Sequence, residues 1–536
     1  MVQRVSRPFI FVVLALALLP AGLWAAPPAA AAPKLAAPKL AASAVPQMQA
    51  IRSIKISKSA MQKKIDSRLF MGLLHQRNDS RLAPLTSFRF VKPEADGRVP
   101  VDVVLTSAAG MKPVINQIMA LGGDVKAKSV AHRVIRARVH LQDLETLAGL
   151  SDVLRVRQDI PNLKEKINTS EGDKAHGADE ARGFFGTDGT GVKVCALSDG
   201  VDSLATVEGS GDLPPTVAVL PGQAGSGDEG TAMLEIIHDL APGAALGFAT
   251  ADTSEAQFAQ NILDLATSGC NIIVDDVIYF DESPFEDGPV AQAVNTVTGA
   301  GVLYFSSAGN EGNVDDDTSG TWEGDFLASA AADPAPLAGA NLHDFGDGGN
   351  SILVTGAGGN PPLLIWAEHY DIANGFASTD FDLYDMDGGL TTIFDASTDT
   401  QDGTGGDDFP IEFIGGGTFT GERLLIDKFA SGTTSSTPMF NLIVFRGVLD
   451  DTLATPGATR GHSAAANAFS VAATPAAASF DGISPDGPFP GLFTAANASE
   501  DFTSDGPRRI ILDGVTGAEL TAGNRTSTGG VVRQKP

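Results

Sequence analysis

The chain has 536 residues, a formal net charge of −28 and a 43% hydrophobic composition. That length allows three or four domains with real cores, and the composition argues against a disordered or multi-spanning chain. The negative charge argues against nucleic acid and anionic membranes as partners, while leaving both extracellular and housekeeping roles open.

Arg4 and Arg7 precede an apolar run over residues 8–24, followed by Ala25-Ala26 and a Pro/Ala-rich stretch. A basic start, an apolar middle and a small-residue zone predict a secretory signal peptide over residues 1–26. An uncleaved single anchor is the alternative, although the run is short for a span. No other stretch reads as a span, so the expectation is a secreted protein, extracellular or periplasmic, without membrane contact after cleavage. Residues 27–95 read as a linker and N-terminal extension. The repeat Ala-Ala-Pro-Lys-Leu-Ala-Ala-Pro-Lys-Leu makes residues 27–50 extended, and residues 51–95 carry scattered basic side chains with weak helical periodicity and no assigned function.

From residue 96 to 160 the pattern sharpens. Strands are predicted at 99–106, 124–130, 132–139 and 152–156, and helices at 111–121 and 142–150, with Gly122-Gly123 as a breaker. The order β-α-β-β-α-β is the ferredoxin-like α+β unit. Residues 168–329 alternate strand and helix: strands at 192–197, 245–249, 271–277 and 302–307, helices at 229–240, 254–267 and 288–299. This predicts α/β architecture with a mostly parallel sheet and helices on both faces. Residues 330–455 turn to short alternating runs rich in Gly, Asp and Thr, which predicts an inserted all-β sandwich. The α/β character returns over 456–536. Cys195 and Cys270 form no disulfide framework; both fall in apolar strand-like runs and are expected as free buried thiols.

Four blocks carry a family resemblance. Val194-Cys195-Ala196-Leu197-Ser198-Asp199-Gly200 is a strand ending in a carboxylate. Glu229-Gly230-Thr231 opens a helix that Ala241-Pro242-Gly243-Ala244 stops. Phe305-Ser306-Ser307-Ala308-Gly309-Asn310-Glu311-Gly312 is a strand and turn, and Phe502-Thr503-Ser504-Asp505-Gly506-Pro507 a later loop. In this order they resemble the subtilisin/sedolisin superfamily of serine peptidases. The resemblance implies a polypeptide substrate, no cofactor, and a propeptide role for residues 96–160. It also implies Glu229 as general base, where subtilisins carry histidine and sedolisins glutamate. Asp199 would be the supporting carboxylate, and Asn310 would donate to the oxyanion, a contribution of about 3–4 kcal/mol in related sites. A hydroxyl nucleophile needs such a base, and two carboxylates sharing a cleft favour acidic working pH.

Several residues depart from that pattern. The sedolisin second carboxylate falls at Met233 here, and the subtilisin aspartate falls at Ser198, one before Asp199. A one-residue slip reverses the face of a strand, so Asp199 serves only if the strand has already ended. Asp275 and Asp276 are further candidates for a supporting carboxylate. His238 follows Glu229 by about 900° of helix and so faces the opposite way. The Glu235/His238 spacing finds no partner segment to make a metal site. Asp315-Asp316-Asp317 could hold structural calcium, with a solvated loop as the plainer reading. No Gly-Thr-Ser occurs in the chain; Ser463 in Gly461-His462-Ser463 precedes the 502–507 loop and reads as a decoy. Val532-Arg533-Gln534-Lys535-Pro536 resembles the start of the segment leading to the family's nucleophile. The expectation is therefore a fragment or a natural truncation, inactive as it stands. The rival expectation is a secreted non-catalytic binding protein that uses the sandwich for recognition. Nothing in the sequence sets an oligomeric state.

Overall fold

The computed structural model describes residues 44–535 apart from 131–132, 159–161, 165–171, 370–376, 405–407, 430–437, 475–492 and 494–496, all within one unit. The predicted signal segment lies outside these residues. Where residues 27–50 read as extended, the chain is already helical from Ala44: α1 (Ala44–Ser57) is followed by α2 (Ser67–Gln76). The side chain of Asp66 accepts from the amides of Arg68 and Leu69 and caps α2. Helices this short are marginal alone. Burial of Ile51, Ile54, Leu69, Phe70 and Leu73 against distant partners supplies what local sequence does not show.

Next come β1 (Arg98–Leu105), α3 (Met111–Ala120), β2 (Asp124–Ser129), β3 (Val134–His140), α4 (Leu144–Ala148) and β4 (Val153–Gln158), an antiparallel sheet ordered β2-β3-β1-β4. Strand β5 (Asn162–Lys164) and helices α5 (Gly172–Ala175) and α6 (Ala178–Phe185) lead to the α/β part. There β6 (Lys193–Ser198), α7 (Leu204–Ser210), β7 (Ala218–Val219), α8 (Glu229–Leu240), β8 (Ala245–Thr250), α9 (Glu255–Thr267), β9 (Ile272–Asp275), β10 (Val277–Tyr279), α10 (Pro289–Gly299) and β11 (Leu303–Ser307) follow in turn. The predicted strand 271–277 breaks at Asp276, and β10 instead pairs antiparallel with β5.

The sandwich starts earlier than residue 330, because β12 (Thr321–Asp325) already pairs with one of its strands. Trp322 ties it there, stacking on Phe440 at 4.8 Å. Ten more strands follow: β13 (Ile352–Gly356), β14 (Gly358–Asn360), β15 (Pro362–Trp366), β16 (Phe381–Met386), β17 (Ile393–Ser397), β18 (Ile411–Phe413), β19 (Thr418–Phe419), β20 (Arg423–Lys428), β21 (Met439–Val444) and β22 (Val448–Leu449). They form a sheet β12-β21-β15-β18 and a sheet β17-β16-β20-β13-β22, with β14 and β19 as a separate pair. Leu364, Trp366, Phe381, Leu383, Phe440 and Leu442 fill the space between the two sheets. The outer face of the first sheet packs on Phe280, Phe285 and Ile511, and that of the second on α1 and α2. With both faces covered, β15, β16 and β21 are buried along their whole length, and β16 carries Asp382 and Asp385 among its apolar residues.

Finally β23 (Phe469–Val471) rejoins the α/β part, and β24 (Arg508–Ile510) pairs with β25 (Val531–Arg533). The large sheet is parallel, ordered β23-β11-β9-β6-β8-β7. Alternate residues of β6 face opposite ways: Cys195 and Leu197 join the layer of α9 and α10, while Ala196 joins Leu234 of α8. The fold class is thus α/β, a parallel sheet flanked by helices on both faces, with antiparallel sheets attached. Among the described residues no helix is long and apolar enough to cross a membrane.

The two cysteines correct the sequence reading. Cys195 and Cys270 are disulfide-bonded with their Cα atoms 5.9 Å apart. Cys195 lies on β6 and Cys270 just before the adjacent β9, a proximity between parallel neighbours that spacing along the chain conceals.

Candidate functional site

Strand β6 is the centre of the large sheet, and the chain leaves it toward β8 and β7 on one side and β9, β11 and β23 on the other. Such a reversal of strand order opens a crevice at the carboxyl edge, where α/β proteins hold ligands. The sequence candidates converge on this edge. β6 ends at Ser198, so Asp199 is released from the alternation of the strand. Its Oδ1 accepts from the amides of Gly200 (2.6 Å), Glu229 (3.0 Å) and Gly230 (3.3 Å). One buried carboxylate oxygen therefore anchors the first turn of α8, where the helix dipole favours a negative charge. Glu229 is that helix's first residue and is half-buried.

Close backbone approach makes this corner possible. Gly227 has φ +119°, and a Cβ there would lie 2.0 Å from Asp199 Oδ2. At Gly230 a Cβ would lie 2.3 Å from the Phe248 ring and 2.5 Å from the Gly200 carbonyl. Gly230→Ala is expected to lose about 1–3 kcal/mol of stability through overpacking, measured as a lower urea midpoint. An unchanged midpoint would show the corner to be slack.

Met233 packs toward Leu234 and Phe248, so no carboxylate stands one turn after Glu229. His238 lies in the last turn of α8, about 13 Å along the axis from Glu229 at 1.5 Å per residue. Among the described residues no group of three or more His, Cys, Asp or Glu side chains is arranged to hold a metal ion. In the Asp315–Asp317 loop, Asp316 is satisfied by Asn313.

Asp275, Asp276 and Asn310 border a second part of the edge, a cavity of about 330 Å³ also lined by Ser306, Ser307 and Phe502. Asp275 is the β9 partner of Leu197, and strand spacing puts its backbone about 8 Å from that of Asp199. The Asn310 turn is held by the later loop: Gly312 N donates to Phe502 O, Ser504 N to Gly309 O and Glu311 N to Ser504 Oγ, each at 2.9 Å. Two of the four sequence blocks therefore meet across nearly two hundred residues.

Sequence reasoning overlooked His462. Its ring is fully buried, with Nε2 3.1 Å from Asp275 Oδ1 and Nδ1 2.6 Å from Glu282 Oε1; Glu282 Oε2 also accepts the His462 amide at 2.6 Å. Ser306 Oγ donates to the same Asp275 oxygen at 2.7 Å. Burial alone would lower the imidazole pKa, but the carboxylates of Glu282 and Asp275 outweigh it and raise it to about 10. His462 is thus an imidazolium donating to both acids. The available signal was the acidic run Asp281-Glu282 inside an apolar stretch, which demands a cation from elsewhere. Ser463 spends its hydroxyl on Ser307 O at 2.7 Å and sits 2.8 Å from Ser470 Oγ, in a turn that binds β11 to β23.

No protein-family profile and no curated protein matches the chain. Several solved structures align with part of it. The epidermin leader peptide processing serine protease of Staphylococcus aureus aligns at 12% identity and TM-score 0.27, over 41% of this chain and 62% of that one. Fervidolysin from Fervidobacterium pennivorans, a keratinolytic enzyme related to subtilisin, aligns at 15% identity and TM-score 0.23, over 40% of each chain. A lanthipeptide protease aligns at 21% identity and TM-score 0.21, over 27% of this chain and 47% of that one. The chain thus spans less than two thirds of each of these proteases.

Proposed function

We propose that the chain belongs to a secreted serine-type endopeptidase of the subtilisin/sedolisin kind, acting on polypeptides. In it Glu229 is the general base, Asp199 the supporting carboxylate and Asn310 the oxyanion donor. Residues 96–160 serve as a propeptide-type domain. Asp275 is the additional carboxylate facing the cleft, with Asp276 beside it. The observation that carries this reading is the anchoring of the Glu229 and Gly230 amides on Asp199 Oδ1 at the carboxyl edge of the sheet. It fixes a carboxylate-bearing helix start at the end of β6. The Cys195–Cys270 bond fits an exported protein.

Ser463 has no role as nucleophile in this reading, because its hydroxyl serves the β11–β23 junction. The test assays the full-length protein on a denatured protein substrate between pH 3 and 8. Glu229→Gln should lower kcat/KM at least 100-fold, the usual contribution of a positioned base, with the fold intact by circular dichroism. Full activity in that variant would remove Glu229 from the mechanism. The rival binding role for the sandwich has little free surface to use, since both outer faces are covered.

A further inference from the structure

The N-terminal segment that covers the sandwich is electrically unlike the rest of the chain. Residues 44–92 hold ten lysines and arginines against two aspartates, a net charge of +8 in a protein of −28. Four of those cations meet acids of the second sandwich sheet. Lys55 Nζ lies 3.0 Å from Asp380 and 2.6 Å from Asp382, its side chain 3% exposed and theirs 0% and 1%. Arg68 pairs with Asp395, and Arg52 with Asp427 at 3.3 Å. Arg89 reaches Asp385 at 3.2 Å and Glu422 at 2.6 Å. Its backbone amide also donates to Phe394 O at 2.9 Å. Between the ion pairs, Ile51, Ile54 and Phe70 share one apolar cluster with Tyr384, Met386 and Leu425.

We infer that this face of the sandwich is a receptor for a cationic amphipathic helical segment, and that residues 44–92 are its tethered ligand. The sandwich strands carry their acids inward toward the seam, where water cannot solvate them. Burial pushes Asp382 and Asp395 up to about 6 even against Lys55 and Arg68. Carboxylates so desolvated require an inserted cation, and a removed partner leaves a buried charge uncompensated. Lys55 fits that requirement as a compact cation on a long apolar stem, with its ammonium 4.2 Å from the Phe429 ring centre. The segment should therefore hold on through the sandwich as a separate chain, in addition to whatever the 98–158 sheet contributes against the α/β part.

The test places a specific protease site between Lys164 and Gly172 of the full chain and cuts it to completion. At pH 7 and 0.15 M salt the N-terminal piece should co-elute with the remainder on gel filtration. Lys55→Met together with Arg68→Met should weaken retention at least 100-fold. Asp382→Asn, isosteric on the receptor side, should weaken it at least tenfold without touching the segment. Arg136→Ala serves as control, because its side chain contacts Thr253 O of the α/β part, and it should change retention several-fold less. Separation of the wild-type pieces, or a loss as large in Arg136→Ala as in the Lys55/Arg68 variant, would overturn the inference. The readout is retention and not proteolysis, so it stands or falls apart from the peptidase reading.

Discussion

Replacing His462 by leucine is expected to cost about 3–5 kcal/mol of stability, because it leaves the buried Asp275 and Glu282 carboxylates without the cation they share. The imidazolium is the only member of the trio that can donate to both acids, at 3.1 and 2.6 Å. Its pH signature follows from its direction. The folded pKa, raised to about 10, lies above the ordinary imidazole value of 6.5. The stabilisation is therefore complete below pH 6.5 and is lost as pH rises toward 10. Urea midpoints taken across that window should fall for the native protein. They should stay flatter when His462→Gln, Asp275→Asn and Glu282→Gln are combined, which keeps the shapes and removes the charges. Equal slopes in the two proteins would show that His462 is neutral in the fold.

The second large effect concerns the Cys195–Cys270 bond, which closes a loop with a sequence separation of 75 residues. Chain-entropy reasoning gives such a cross-link about 4 kcal/mol. Cys195→Ala with Cys270→Ala should lower the urea midpoint by a corresponding amount. Reductant should produce a similar loss in the native protein after an unfolding and refolding cycle, and no loss in the double variant. Native protein that is indifferent to reductant would mean that the bond is not made. Both sulfurs are buried, at 0% and 3% exposure of their residues, so reduction needs opening first. Gly247 on β8 leaves the room they occupy: a Cβ there would lie 2.6 Å from Cys195 Sγ.

What the sequence makes legible is what local periodicity writes. Helix α8 runs from Glu229 to Leu240, and α9 and α10 begin one residue later than their spacing predicts, after Ser254 and Gly288. The end of β6 was read to within one residue, at 197 against Ser198, while the bend at Asp199 depends on amides donated from α8 and has no local signal. Long-range electrostatic pairing is invisible to any window. Lys55 and Asp382 are 327 residues apart, and His462 and Asp275 are 187 apart. Each looks like an ordinary surface charge until its partner is found. Helix α1 escaped for the same reason: its apolar residues are ordered by the face they meet. The motifs named the candidate base and oxyanion donor, while the buried imidazolium of His462 had no motif to name it.

Parallel neighbours in a sheet need a connection that travels from one end of it back to the other, usually a helix. Between the neighbours β9 and β11 that connection includes α10. Between β11 and β23 it is the entire sandwich, returning through the turn Gly461–Ala464. The module is wired in series with the sheet and does not hang from it as a side loop. On the return leg Arg460 grips Asn441 of β21 at 2.8 Å, two residues before His462 grips Asp275. A pull on the sandwich would accordingly be borne by the ladder Phe305–Phe469 and by the His462 turn. Melting of the sandwich and fraying of the sheet edge then become a single mechanical event, and transplanting this module into another protein would require carrying its return leg along.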